Sequence, residues 1–161
     1  MRNNQPVTQK EHRLPDDALL VSHTDLQGNI TYANEAFVEA SGYAYDEIMG
    51  QPHNILRHPD VPPPVFADFW NSIQNSRPWN QIVKNRCKNG DHYWVDANAT
   101  PMFENGKIVG YMSVRTPATR EQIKQAEMAY KAIADKNCII CSLEGEEDFP
   151  YEKAQIKKSD L

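Results

Sequence analysis

Two Asn-Gly pairs in the second half of the chain constrain its fold more than any other feature. The pair favours the tight turns of β-hairpins, because both residues tolerate a positive φ angle. The pairs lie at positions 89–90 and 105–106, and strand-like runs flank them over residues 79–88, 91–102 and 107–115. The pattern therefore predicts three consecutive antiparallel strands in this half of the chain.

The first half of the chain predicts a further hairpin and a short helix. Apolar-rich runs over residues 18–22 and 29–33 are separated by a turn, which Gly28 permits through its conformational freedom. Asn34 is a good N-cap for the helix that follows, and Gly42 is a good C-terminal stop. Together with the later hairpins, this makes five predicted strands.

Three more helical segments complete the pattern. A short helical turn spans residues 45–49, and a longer helix begins at Pro64 and is broken by Pro78. Thr119 caps a last helix over residues 120–135, which carries one apolar stripe. This order predicts an α+β fold, a five-stranded antiparallel sheet with short helices on one face and a cavity between the two layers.

The composition excludes several classes of protein. The chain has 161 residues, enough for one domain with appendages, and a net charge of −5, which gives no basic surface for nucleic acid. No apolar run approaches the roughly 20 residues that span a bilayer, and the first residues lack a signal-peptide pattern. Three cysteines without a framework spacing indicate a reducing compartment. We therefore expect a soluble cytoplasmic protein.

The chain divides into four predicted segments. Residues 1–17 form an N-terminal cap, residues 18–117 the main domain, residues 118–135 an exit helix and residues 136–161 a flexible tail. The tail contains Cys138 and Cys141, whose spacing is that of a dithiol or half a zinc site. No second Cys/His pair follows, so no metal site is predicted, and the role of the pair stays open.

A polar, proline-rich segment over residues 50–62 is the most informative feature for function. Its prolines fix the backbone, so that Arg57, His58 and Asp60 are presented at fixed angles. Such an arrangement is typical of the polar rim of a ligand pocket, and the alternative is a surface salt-bridge cluster. No nucleophile–base constellation appears in the sequence, so a small-molecule sensor is favoured over an enzyme.

Motifs along residues 7–133 carry a resemblance to a known family. They include Thr24-Asp-Leu-Gln-Gly-Asn-Ile-Thr-Tyr-Ala-Asn34, Gly50-Gln-Pro-His-Asn54, Arg57-His-Pro-Asp60 and Lys88-Asn-Gly-Asp-His-Tyr-Trp-Val95. The chain resembles PAS domains, and most closely the flavin-binding PAS domains of bacterial aerotaxis receptors. The resemblance implies a PAS fold with an N-terminal cap and an exit helix. It also implies a non-covalent FAD that senses redox, energy or oxygen state in signal transduction for chemotaxis.

The same resemblance implies roles for the polar residues. Arg57 matches a motif tied to FAD binding, and its fork of donors suits the pyrophosphate. His58 adds a donor, and Asp60 orients its neighbours or accepts from a ribose hydroxyl. Asn85 pairs with the edge of the flavin ring, and Arg115 lies near its N5 atom, where a cation favours reduced, anionic flavin. Exposed positions on the sheet are the alternatives for the last two residues.

Other residues are expected in or behind the pocket wall. Asn34 acts as a helix cap, as a pocket residue, or as both. His53 occupies the position at which related light sensors carry a reactive cysteine, so a covalent photocycle is not expected. Tyr93 and its neighbour Trp94 cannot both line the pocket, because successive strand residues point to opposite faces. The aromatic candidates for the wall, with plain core positions as the alternative, are Phe66, Trp70, Trp79, Tyr93 and Tyr111.

Two other functions stay open at this point. A haem-binding gas sensor would use His53 or His58 as the axial ligand, and a ligand-free PAS domain would serve only as a dimerisation module. The expected partners are the flavin and either a second copy of the chain or a signalling domain. Whether the chain is an excised receptor module or a free-standing protein stays open.

Overall fold

A single five-stranded antiparallel sheet forms the centre of the molecule. In the computed structural model, the backbone is described for residues 4–144 and the side chains for residues 4–136. The strands occur in the spatial order β2-β1-β5-β4-β3, which places β2 and β3 at the two edges. Their bounds are Leu20–Thr24 (β1), Ile30–Ala33 (β2), Trp79–Arg86 (β3), His92–Glu104 (β4) and Lys107–Pro117 (β5). The predicted α+β architecture is confirmed.

The two Asn-Gly pairs form the hairpin turns that the sequence predicts. Gly90 has a φ angle of 96°, and Asn105 and Gly106 have φ angles of 50° and 75°. A side chain at Gly90 would also place a Cβ atom 2.7 Å from the carbonyl oxygen of Pro6. Only glycine fits this position without displacing the backbone of the N-terminal segment, which we define as residues 4–17.

Strand β1 begins later than the apolar run predicts. The prediction was residues 18–22, whereas the strand spans Leu20–Thr24 and pairs with β5 along its whole length. In β1 the polar residues Ser22 and Thr24 alternate with Val21 and His23. The strand therefore continues into polar residues beyond the apolar run. Pairing with a long neighbour, rather than local hydrophobicity, sets these bounds.

The first three helices lie on one face of the sheet, and the last helix lies on the other. Helices α1 (Glu35–Ser41), α2 (Tyr45–Ile48) and α3 (Pro63–Gln74) lie between β2 and β3 in the sequence. The proline-rich segment contains a 3₁₀ turn, His53–Leu56, which the sequence did not predict. The last helix, α4, spans Arg120–Glu144 and continues past its predicted end near residue 135.

The predicted caps of the helices are present. The Asn34 side chain accepts from the N–H of Phe37 at 3.0 Å, and Gly42 ends α1 with a φ angle of 73°. Thr119 accepts from the N–H of Gln122 at 3.1 Å. The predicted flexible tail covers residues 136–161, whereas the backbone of α4 continues to Glu144. The rest of that tail lies outside the described residues, as do the side chains of Cys138 and Cys141, whose role stays open.

The two faces of the sheet have different covers. Tyr93 is fully buried on the side of the short helices, whereas Trp94 faces α4 and stacks on Tyr130 with ring centroids 5.9 Å apart. The hydroxyl of Tyr130 donates to the carbonyl of Ile82, which fixes α4 over β3. The predicted separation of Tyr93 and Trp94 is confirmed. Within residues 4–144, no helix combines the length and apolar character needed to cross a bilayer.

The N-terminal segment is docked along the β3–β4 hairpin. The N–H of Thr8 donates to the carbonyl of Gly90 at 3.0 Å, and the N–H of His12 donates to the carbonyl of His92 at 2.7 Å. The N–H of His92 in turn donates to the carbonyl of Lys10 at 2.9 Å. These bonds make the segment an added edge on the hairpin.

Candidate functional site

A cavity lies between the sheet and the short helices, as the fold class predicts. Its cavity volume is about 80 Å³, and it opens partly to solvent. Its walls are mainly apolar, with a few polar groups that converge on the interior. The side chains that line it include Ser22, Thr24, His53, Asn54, Leu56, Arg57, Phe66, Phe69, Trp79, Val83, Asn85, Ala97, Ala99, Tyr111, Ser113 and Arg115.

Most of the predicted site residues meet at this cavity. Seven of the twelve line it, namely His53, Arg57, Phe66, Trp79, Asn85, Tyr111 and Arg115. The remaining five are absent from its walls, namely Asn34, His58, Asp60, Trp70 and Tyr93. The sequence and the resemblance therefore selected residues in and around one cavity, although neither could assign the face of every side chain.

Arg57 is held at the cavity by the end of the 3₁₀ turn. Its N–H donates to the carbonyl of Asn54 at 3.0 Å, and its backbone pairs with Asn85 on the edge strand β3. The guanidinium carbon lies 3.8 Å from the centre of the Phe66 ring. Burial lowers the pKa of Arg57 to about 10, so the group remains a cation at neutral pH. A buried planar guanidinium is well suited to a phosphate.

His58 and Asp60 point away from Arg57, because the segment passes the edge of the sheet. The Asp60 carboxylate lies 2.8 Å from the ammonium of Lys84, and the Asp60 side chain is 49% exposed. His58 is fully buried, with its ring 5.8 Å from that of His92. The surface salt-bridge alternative thus describes Asp60, whereas Arg57 faces the cavity.

A second buried arginine lies on the sheet wall of the cavity. Arg115 donates to the hydroxyl of Ser22 at 3.0 Å, and its other terminal nitrogen lies 2.8 Å from Nε2 of His53. Burial and the adjacent guanidinium hold the pKa of His53 well below its usual range, so its Nε2 is an acceptor. Burial also lowers the pKa of Arg115 to about 10. Within the described side chains, no carboxylate lines this cavity.

Asn85 lies on the cavity face of β3, in the middle of the polar lining. It is buried and paired in register with Tyr93 on β4. The Tyr93 hydroxyl is buried with no hydrogen-bond partner in the described structure. Burial rules out the alternative of an exposed position for Asn85, and the same holds for Arg115.

Three predicted residues act behind the wall instead of on it. Asn34 accepts from the N–H of Val21 and donates to the carbonyl of Leu19, so its amide joins α1 to β1. Trp70 packs edge-on against Tyr111, with ring centroids 5.9 Å apart. Tyr93 is part of the buried core beneath Asn85.

Sequence reasoning missed the hydroxyl groups of the cavity. Ser22 and Thr24 on β1 and Ser113 on β5 line it, and the Thr24 hydroxyl is buried with no hydrogen-bond partner in the described structure. A buried hydroxyl without a partner costs about 1–3 kcal/mol, which a polar ligand group offsets. The detectable pattern was the period-2 alternation of polar residues through a short strand.

The buried histidines make stability sensitive to acid. Burial and Lys84 lower the pKa of His58 to about 4, and the pKa of His53 is also lowered. The unfolded chain then takes up protons near pH 6.5 that the folded chain does not bind. We expect the free energy of unfolding, measured in urea, to be constant above about pH 7.5 and to fall progressively below about pH 6.5. His58→Leu should flatten the profile, and a pH-independent free energy for the parent would contradict the assignment.

Comparison with known proteins agrees with the fold. A family model described as the PAS fold matches residues 30–115. The chain is 56% identical over 133 residues to the aerotaxis receptor of Escherichia coli, covering 83% of this chain and 26% of the receptor. It is 28% identical over 99 residues to the nitrogen fixation regulatory protein of Klebsiella pneumoniae, covering 61% of this chain and 20% of that protein. The chain thus spans about a quarter or less of these relatives.

Solved structures show the same fold. The dark structure of the blue-light photoreceptor Aureochrome1 LOV superposes with a TM-score of 0.59 at 21% identity, covering 74% of this chain and 85% of that one. Similarity at this level of identity concerns the fold, and the chemistry of the cavity must be argued from its own residues.

Proposed function

The chain belongs to the PAS-fold family, and on that premise we propose that it binds FAD in the cavity and reports its redox state to a signalling partner. The identity with the aerotaxis receptor supports a PAS sensor domain that acts in signal transduction. The finer proposal is a cytoplasmic flavin sensor of redox, energy or oxygen state, with no catalytic activity of its own. Its partner is a second copy of the chain or a signalling domain.

The observation that carries this proposal is the buried cation at Arg115. Its partners, Ser22 and His53, are neutral, and a fully buried guanidinium without an anionic partner costs several kcal/mol. A ligand that carries or acquires negative charge at this place offsets that cost. Arg57 supplies a second cationic group elsewhere on the wall, suited to a phosphate. FAD combines a pyrophosphate with a ring that becomes anionic on reduction.

The cavity walls favour an aromatic ring between these two arginines. Phe69 contacts Trp79 edge-on at 5.0 Å between ring centroids, and the Trp79 indole N–H donates to Asp68 at 2.8 Å. Ala97 and Ala99 on β4 leave the sheet wall beside Trp79 free of large side chains. Thr24 and Asn85 offer hydrogen bonds from its walls.

The network around Arg115 supports a route for the response. Arg115 on β5, Ser22 on β1 and His53 in the 3₁₀ turn are joined by hydrogen bonds. When bound, the flavin supplies a change in charge and protonation on reduction. A negative charge on a bound ring would compete with His53 for the Arg115 guanidinium, and loss of that hydrogen bond would couple the cavity to the 3₁₀ turn.

The absorbance spectrum of the purified full chain tests the function. We expect a flavin band at about 450 nm and release of FAD on denaturation. A sharp Soret band at about 400 nm would support a haem sensor. That alternative is disfavoured, because His53 is bonded to Arg115 and His58 faces away from the cavity. A colourless protein that takes up no FAD on titration would overturn the proposal. The ligand-free dimerisation module would then be the remaining alternative.

Substitution of Asn85 should change the affinity or the potential of the flavin without unfolding the sheet. Asn85→Ala removes a carboxamide that can donate to or accept from the ring edge. Asn85→Asp should be worse for reduced flavin, since it sets two negative charges close together in a buried site. The measurements are FAD occupancy and midpoint potential. Parent-like values for both variants would show that Asn85 makes no contact with the ligand.

Blue light should leave no covalent flavin–cysteine adduct. Cys87 is the one cysteine among the described side chains, and its thiol donates to the carbonyl of Ala40 at 3.3 Å instead of lining the cavity. Burial raises its pKa to about 11, so it is not a thiolate at neutral pH. A light-induced band at about 390 nm that disappears in Cys87→Ser would contradict this expectation.

A further inference from the structure

The buried side chain of Asn4 joins the N-terminal segment to the backbone of the cavity wall. The Asn4 amide nitrogen lies 2.9 Å from the carbonyl oxygen of Asn54, 3.2 Å from that of Ile55 and 2.8 Å from that of Arg57. Asn4 is only 8% exposed, although it lies almost at the start of the chain. Two N–H groups therefore serve three acceptors some fifty positions away in the sequence.

These carbonyls belong to the segment of the cavity wall that includes Asn54 and Arg57. They lie in and directly after the 3₁₀ turn His53–Leu56, where the Asn54 carbonyl also accepts from the N–H of Arg57. A turn of this length is marginal by itself, because its hydrogen-bond geometry is poor. Asn54 and Arg57 line the cavity, and the Asn4 amide donates hydrogen bonds to the backbone carbonyls of both residues.

We propose that Asn4 is a positioning residue for the ligand site, which holds the 3₁₀ turn closed so that Arg57 faces the cavity. The ligand role rests on the proposed function, whereas the support of the turn does not. The N-terminal segment is thus a structural part of the binding site. Two substitutions, of which only Asn4→Asp keeps the size of the side chain, separate this role from simple packing. Asn4→Ala removes the donors, and Asn4→Asp sets a carboxylate against three carbonyl oxygens, so Asp should be the more disruptive change.

Hydrogen exchange on the ligand-free full chain tests the support of the turn. The N–H groups of Ile55 and Arg57 donate to Pro52 and Asn54 within the turn. We expect their exchange to accelerate about fivefold or more in Asn4→Ala, and further in Asn4→Asp. Thr8→Ala is the matched control, since it removes a surface contact to Asp91 from the same segment. Unchanged exchange in both Asn4 variants would overturn the proposal.

A double-mutant cycle tests whether Asn4 acts through Arg57. FAD titration of the apo-protein should show about a tenfold weaker affinity for Asn4→Ala, but less than about a twofold effect of Asn4→Ala in an Arg57→Ala background. Equal effects in the two backgrounds, or parent-like affinity of the single variant, would refute the positioning role. If the parent binds no FAD, the proposed function fails, and the exchange measurement still decides whether Asn4 holds the turn.

Discussion

Arg57→Ala is expected to weaken FAD binding by about tenfold to a hundredfold, the range for losing a charge-assisted contact to phosphate. The structure supports this value, because Arg57 is buried, faces the cavity and is stacked on Phe66. Asp60→Ala should change the affinity by less than about threefold, since its carboxylate is half exposed and paired with Lys84 outside the cavity. Fluorescence titration of the apo-proteins measures both values.

The pair of variants tests the geometry of the segment as well as its chemistry. Circular dichroism and thermal melting should show that both variants keep the fold. Equal losses of affinity in Arg57→Ala and Asp60→Ala would mean that Asp60 reaches the ligand, and therefore that the segment changes course on binding. Retention of full affinity by Arg57→Ala would remove the phosphate role from this residue.

The sequence alone treats Arg57, His58 and Asp60 as one cluster, and the structure separates them. Residue type and the stiffness of the segment are local properties, so both were predictable. The face that each side chain takes depends on how the segment passes the edge strand β3, which is a long-range property. A chain that runs beside a sheet edge places neighbouring side chains on opposite faces. The resemblance named these three residues but could not assign the face that each side chain takes.

The same distinction explains the rest of the fold and site. The five strands were predictable, because Asn-Gly turns and alternating patterns act over a few residues. Asn85 and Arg115 could be placed once strand order was known, since the period of two then assigns their faces. Asn4 was not predictable, because its acceptors are backbone carbonyls that any residue offers. Thr24 was missed since a strand-end threonine has an ordinary local explanation.

The largest change in redox behaviour is expected for Arg115→Met. The guanidinium is buried on the cavity wall without a carboxylate beside it, and a methionine has a similar length and no charge. Loss of the cation should destabilise reduced, anionic flavin about tenfold to a hundredfold relative to oxidised flavin, which lowers the midpoint potential by about 60–120 mV for one electron. Spectroscopic redox titration of the loaded protein gives this value directly.

The ligand-free form of the same variant should be more stable than the parent. Burying a cation is costly, and replacement of a buried charge by an apolar side chain is often stabilising by about 1–4 kcal/mol. Without Arg115, the Nε2 atom of His53 still has a hydrogen-bond partner, because the Ser22 hydroxyl lies 3.1 Å from it. Arg86→Met is the matched control, since Arg86 is also buried but donates to the carbonyl of Pro6 on the other face.

That control should lose stability and leave the potential unchanged, whereas Arg115→Met should gain stability and lower the potential. The opposite signs matter, because general damage to the fold would reduce stability in both variants. Urea unfolding of the two apo-proteins and redox titration of the two loaded proteins together decide the question. A midpoint potential in Arg115→Met equal to that of the parent would show that the cation supports the structure of the cavity and does not balance the charge of its ligand.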